Sequence, residues 1–216
     1  PDARSRFWRD AGAKQNGNTW SAKLPVMDLK RPLFAFANVY YRLPKPTALP
    51  RNSTADEVCI SSLFHEAKPK QLKAAGVKAS GQREMVIDDF ARGFHDWFTI
   101  NGNHRPLWQH WTRKVTDPKW RGPKGAVLAL TIQSEKPNGL AFVLKENAWR
   151  SYRGKQQVYV AEARLKGGAA ETGALELNDF KCTTDGTPPK SWAEMDQLGI
   201  CAKDEGRGPW QMVLGA

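Results

Sequence analysis

The run Ala126–Leu144, AVLALTIQSEKPNGLAFVL, decides the reading of the fold. Two strand-like runs, Ala126–Gln133 and Gly139–Leu144, flank the turn signal Lys136-Pro137-Asn138-Gly139. Aliphatic and β-branched residues fit a half-buried pleated surface, while Pro and Gly interrupt one. The same spacing recurs outward in both directions. Val86–Phe90, Trp97–Ile100 and Trp108–Val115 precede the run, and Gln157–Leu165, Gly173–Leu177 and Gln211–Leu214 follow it. Asn101-Gly102, Arg153-Gly154 and Gly167-Gly168 mark further turns. Regular short strands with this punctuation predict a mainly β fold over residues 84–216: an antiparallel β-sandwich, jelly-roll-like. One helix is expected inside it, from the capping box Ser191-Trp192-Ala193-Glu194 through Met195 and Leu198 to a stop at Gly199.

Residues 1–83 read as a separate, smaller β-rich segment with a short helix. Leu33–Leu43 (LFAFANVYYRL) is its strongest strand, bounded by Pro32 and Pro44 and apolar enough to predict cover on both faces. Trp20–Leu24 and Val58–Glu66 are further strands, and residues 44–57 are expected to form a loop. Pro69 to Gly76 reads as a helix, with Pro in the first turn and Gly as the C-terminal stop. The polar stretch 77–85 places the boundary near residue 83.

The chain has 216 residues, enough for one large domain or two small ones, each with a real core. No apolar run approaches the roughly 20 residues of a membrane helix. No N-terminal stretch has the order of a signal peptide. The opening at Pro1, without Met, carries the expectation of a processed product or fragment. Net charge is +11, and it is uneven. Residues 1–85 carry 15 Lys/Arg against 7 Asp/Glu; residues 86–216 carry 18 against 15. A basic surface attracts polyanions without choosing among glycans, nucleic acids and acidic membranes.

Linear catalytic signatures are missing. There is no G-x-S-x-G, phosphate loop, G-x-G-x-x-G or H-E-x-x-H. Cys59 and His65 fall on one face of a strand but about 20 Å apart, too far for a nucleophile–base pair. Cys59, Cys182 and Cys201 lack zinc spacing, and His104 with His110 is too small a set for a metal. Either Cys182–Cys201 forms a disulfide or all three thiols are free. Asp88 and Asp89, with Asp96 nearby, are candidate oxygen ligands for a structural calcium ion, the only cofactor the sequence raises. Ordinary solvated carboxylates fit the same residues. A glycosidase pair of carboxylates leaves no linear trace to read.

The informative residues are aromatic and basic. Nine tryptophans occur, and 104–124 (HRPLWQHWTRKVTDPKWRGPK) interleaves Trp108, Trp111 and Trp120 with Arg113, Arg121 and other cations, opposed only by Asp117. A second cluster, 149–155 (WRSYRGK), holds Trp149, Arg150, Tyr152 and Arg153. Aromatic faces stack on sugar rings or bases, and Arg forks bind carboxylate, sulfate or phosphate. The competing reading packs the tryptophans between sheets and leaves the charges in water. No nucleic-acid-reading motif or basic helix is present, which sets nucleic acid below a polysaccharide as partner.

Several runs resemble a known family. Trp20–Leu43 (WSAKLPVMDLKRPLFAFANVYYRL) and 69–79 (PKQLKAAGVKA) are similar to the end of the esterase-like region of PhoPQ-activated pathogenicity-related and acetylxylan-esterase-like α/β-hydrolases. Asp89–Phe98 (DFARGFHDWF), Asp117–Gly125 (DPKWRGPKG), Leu177–Phe180 (LNDF) and 191–199 (SWAEMDQLG) resemble the β-sandwich module that follows it, which is like carbohydrate-binding jelly rolls. The resemblance implies the C-terminal portion of a bacterial, secreted or periplasmic polysaccharide-active hydrolase. The nucleophile of that family lies upstream of the resembled portion, so no catalytic serine is carried over. The expected function is therefore non-catalytic: binding of an acidic polysaccharide through Trp108, Trp111, Arg113, Trp120, Arg121, Trp149, Arg150, Tyr152 and Arg153. The alternative is a module that packs on a hydrolase core or partner subunit.

Overall fold

Apolar side chains along Asn138–Glu146 (β9), Gln157–Leu165 (β10) and Met195–Ala202 (β13) build the core of the larger unit. A computed structural model describes residues 7–50, 53–99, 109–148 and 154–202. Among the described residues the chain is mainly β, with several antiparallel sheets and one short α-helix. It divides into two compact units, residues 12–81 and residues 1–11 with 82–216. Among the described residues no helix is long and apolar enough to cross a membrane.

The second unit is organised by a five-stranded antiparallel sheet. Its order is β12 (Lys181–Cys182), β10, β9, β13 and β7 (Gln109–Thr112). The register sorts the side chains by face. Leu144, Tyr159, Leu198 and Cys182 share one row, and Phe142, Ala161 and Ile200 the next. These residues form the larger core, against which β8 (Leu128–Ile132) and β11 (Glu171–Leu175), a two-stranded ribbon, set Leu128, Leu130, Ile132 and Leu175. The opposite face carries Trp111, Val143, Val158, Ala141 and Cys201, a second buried cluster. The central strands are thus apolar on both sides, which is why β9 reads as a continuous run rather than an alternation.

Two expectations change here. Residues 192–194 form only a single 3-10 turn, capped by Ser191 Oγ accepting from Ala193 N at 2.9 Å. The chain then enters β13 instead of continuing as a helix. The capping box acts locally, but Leu198, Ile200 and Cys201 find their partners across the ladder, so tertiary pairing overrides the propensity. Gly199 is not a helix stop. It lies directly opposite Trp111, and a Cβ there would sit 2.6 Å from the indole ring. The indole fills the space that a side chain would take.

The second change concerns the cysteines. All three are free thiols, Cys59 exposed and the other two buried. Cys182 belongs to the core on one face of the sheet and Cys201 to the cluster on the other, so of the two alternatives the Cys182–Cys201 bridge is topologically barred. Val86–Phe90 is irregular rather than a strand, and Phe98 contributes one isolated bridge to Trp111. The Gln211–Leu214 run lies outside the described residues.

The unit of residues 12–81 is built from ribbons. Lys14–Asn16 (β1) pairs with Thr19–Ser21 (β2), Leu33–Ala35 (β3) with His65–Ala67 (β6), and Asn38–Leu49 (β4) with Ser53–Ser61 (β5). The loop expected at 44–57 is therefore mostly strand. Prolines cannot donate to a ladder, and the pairing jumps from Arg42↔Glu57 to Thr47↔Ala55, which lets Pro44 and Pro46 pass in a bulge. The cover expected on both faces of Leu33–Leu43 is not found: Val39, Tyr40 and Tyr41 are exposed. The helix is found as expected, α1 (Pro69–Ala74), with Gln71 Oε1 accepting from Lys68 N at 2.8 Å and Gly76 turning at φ +67°.

Candidate functional site

A cleft of about 460 Å³ opens on the larger core. Its floor is Phe142, Leu198 and Ile200 of β9 and β13, and Leu128 and Leu130 of β8 form one wall. Trp192 holds that side in place. Its Nε1 donates to Ala126 O at 2.9 Å, and its ring lies so near Gly122 that a Cβ there would approach within 3.0 Å. Across the mouth, Glu84 N donates to Lys119 O at 2.8 Å, and the two side chains form an ion pair, so segments 84 and 119 are latched together. Met85, Val86 and Val127 stand on the rim, and Met85 is 78% exposed.

The inner wall is set by a buried ion cluster. Lys114 Nζ is held by Asp88 Oδ2 at 2.8 Å, Ile87 O at 3.0 Å and Asp96 Oδ2 at 3.2 Å. Asp88 also accepts from Trp97 Nε1 at 2.9 Å and from Phe90 N at 2.9 Å. Burial alone would raise the Asp88 carboxyl, but the Lys114 ammonium and these donors outweigh it and hold it below the usual carboxylate range. Phe90 takes a left-handed backbone conformation, φ 54°, a strained choice for a bulky residue. That conformation aims its ring into the cleft beside Phe94 and Trp97, at centroid distances of 5.2 and 5.7 Å.

This cluster accounts for the carboxylates that suggested calcium. Asp88 serves Lys114, and Asp89 Oδ1 accepts from Ala91 N at 3.0 Å as a local turn. Among the described residues no group of three or more His, Cys, Asp or Glu is gathered that could hold a metal ion.

The predicted aromatic and basic residues divide between the two sides of the sheet. Trp120 and Arg121 line the cleft. Trp120 meets the Phe7 ring edge-on at 5.2 Å, with Lys119 Nζ 4.6 Å and Lys114 Nζ 5.5 Å from its centroid. Arg121 Nη2 donates to Thr116 O at 2.8 Å. Trp111 lies on the other side and is fully buried. Gly199 backs its ring, Lys145 Nζ sits 4.5 Å from the ring centroid, and its Nε1 donates to Gln109 Oε1 at 3.0 Å. It has no open face for a sugar. Arg113 lies over Phe98 at 4.7 Å. Trp108, Trp149, Arg150, Tyr152 and Arg153 fall outside the described residues.

Sequence reasoning passed over Met85, Val86, Val127 and Trp192. The first three belonged to runs read as connector or strand, and Trp192 to a run read as helix. Only an exposed rim seen in three dimensions singles them out. Lys145 and Gln197, buried on the face opposite the cleft, carried no signal either: Lys145 follows the strand run Gly139–Leu144, and Gln197 lies in the run read as a helix. Comparison with protein-family models, curated proteins and solved structures returns no match.

Proposed function

We propose that this chain is a non-catalytic binding module, and that the cleft on its β8–β9–β13 core receives an apolar segment of a protein partner. The carrying observation is the ring of exposed Met85, Val86 and Val127 around an apolar cleft. Exposed apolar rims around a recess mark interaction sites. A sugar ring would need hydroxyl partners, and this floor offers Phe, Leu and Ile. Along the lining Arg83, Lys119 and Arg121 outnumber Glu84 and Asp88; Lys119 is answered by Glu84 and Asp88 by Lys114. The partner segment is accordingly apolar with acidic flanks. The esterase-like hydrolases that the sequence resembles make a hydrolase core the first candidate.

A second reading keeps an acidic polysaccharide as the ligand, and Trp120 with Lys119 and Arg121 at the same mouth favours it. One experiment separates the two. A photo-reactive phenylalanine replaces Met85 in the natural gene product, which is irradiated in its own host, and the crosslinked peptides are sequenced by mass spectrometry. Crosslinks to one apolar, acid-flanked protein segment support the module reading. Absence of protein crosslinks, with retention on polygalacturonate in affinity electrophoresis, would replace it with the polysaccharide.

A further inference from the structure

On the face of the sheet opposite the cleft, β9 and β13 place Lys145 directly across from Gln197. Directly paired residues share a face, with Cβ atoms about 5 Å apart. Both side chains are buried, Lys145 at 5% exposure and Gln197 at 1%. The amide is not satisfied. Gln197 Nε2 and Oε1 both lack a hydrogen-bond partner. Among the described residues no carboxylate pairs with Lys145, whose Nζ instead rests over Trp111. Among the described residues Val158 and Val143 flank Lys145 on its own face, with the Cys201 thiol, which burial pushes up to about 12 and so keeps neutral; the buried Asp196 precedes Gln197 at the bulge of β13.

An uncompensated buried amide destabilises a folded protein, and a buried charge does so more strongly. Two such groups facing each other across one ladder step define a complementary shape. The ammonium requires an oxyanion. The amide requires one acceptor for Nε2 and one donor for Oε1.

We propose that Lys145 and Gln197 form a binding site for a small hydroxycarboxylate. One carboxylate oxygen pairs with Lys145 Nζ, the other accepts from Gln197 Nε2, and the adjacent hydroxyl donates to Gln197 Oε1. Trp111 closes the floor behind the ammonium. This site lies on the other side of the sheet from the cleft and stands whether or not the cleft binds a partner.

The test is thermal unfolding of the purified, exhaustively dialysed chain, titrated with glycolate at constant ionic strength, with acetate and chloride beside it. Glycolate is expected to raise Tm with the logarithm of its concentration above Kd, by a few degrees at about ten times its Kd. Acetate, lacking the hydroxyl, is expected to bind roughly tenfold more weakly, and chloride not to act. Gln197→Glu supplies a carboxylate in place, so it should raise Tm without ligand and abolish the glycolate response. Lys145→Met should abolish the response while keeping the fold, checked by circular dichroism. No glycolate response in the parent chain overturns the proposal. So does an undiminished response in either variant, or a lower Tm for Gln197→Glu than for the parent.

Discussion

Replacing Lys145 by Met should stabilise the ligand-free chain at pH 7. Burial strips water from the ammonium and lowers its pKa from 10.5 to about 8. At 1.36 kcal/mol per tenfold change in proton affinity, holding that charge inside costs about 3 kcal/mol. The contact with the Trp111 ring at 4.5 Å returns about 1 kcal/mol. Met keeps the volume of the stem without the charge, so the net gain expected is about 2 kcal/mol. The pH profile gives a sharper signature. The unfolded chain keeps the Lys145 proton up to about 10.5, whereas the folded chain releases it near 8. Between those values the unfolded state binds more protons, so stability rises with pH. Cys201 acts in the opposite sense. Its thiol ionises near 9.0 when unfolded and only near 12 when buried, so stability falls from about pH 9 upward. The two slopes cancel between about pH 9 and 10.5, so the parent should be most stable there, and Lys145→Met should lose the rising limb. Urea unfolding followed by tryptophan fluorescence, from pH 6.5 to 9.5 with reductant, reports on the right unit, since eight of the nine tryptophans lie in residues 1–11 and 82–216. A variant less stable than the parent at pH 7, or an unchanged rising limb, would refute the reasoning.

Three further outcomes follow from particular contacts. Lys114→Met leaves Asp88, with only 13% of its side chain exposed, without its ammonium, and should cost about 3 to 5 kcal/mol in urea unfolding. Because the folded Asp88 carboxyl lies below 3.8, its contribution is present above that pH and lost as pH falls through the folded value, so Lys114→Met should also lose part of the parent's acid limb. Gly199→Ala forces a methyl to within 2.6 Å of Trp111 and should lower stability by about 1 to 3 kcal/mol, measured by calorimetry. Thiol titration should find one fast site, Cys59, and two more only on unfolding; a single thiol in denaturant without reductant would restore the disulfide.

The strands of the central sheet were legible because burial on both faces leaves continuous apolar runs. Gln157–Leu165 keeps its predicted bounds, and Gly139–Leu144 lies wholly inside β9. Helix α1 was legible because its signals, Pro69 at the start and Gly76 at the end, act within one turn. The strand Met195–Ala202 was not. Its local signals ask for a helix, and what decides otherwise is Trp111, more than eighty positions away, seated on Gly199. The prolines at 44 and 46 misled for a related reason: they forbid ladder bonds at their own positions but not on either side, so β4 continues past them. A sequence shows what a residue cannot donate. It does not show whether a bulge will absorb the omission.

The aromatic and basic cluster at 104–124 shows why the site was harder to read than the fold. Interleaved Trp and Arg or Lys read as a surface waiting for a polyanion. In the structure several of those cations already have aromatic partners: Lys119 on Trp120, Arg113 on Phe98, and Lys145, from another strand, on Trp111. The interleaving is partly internal chemistry, and the charge of +11 overstates what the surface offers. The cations differ in what else they touch. Lys114 has two carboxylates and a carbonyl, and Lys119 has Glu84. Lys145 has a ring and an opposite amide with nothing to bind. Since an aromatic face stabilises a cation by far less than full burial costs it, the imbalance must be met by proton release or by an anion from outside. The rising limb of the pH profile measures the first route and glycolate binding the second, so an anion that saturates the site should flatten the limb in the parent chain.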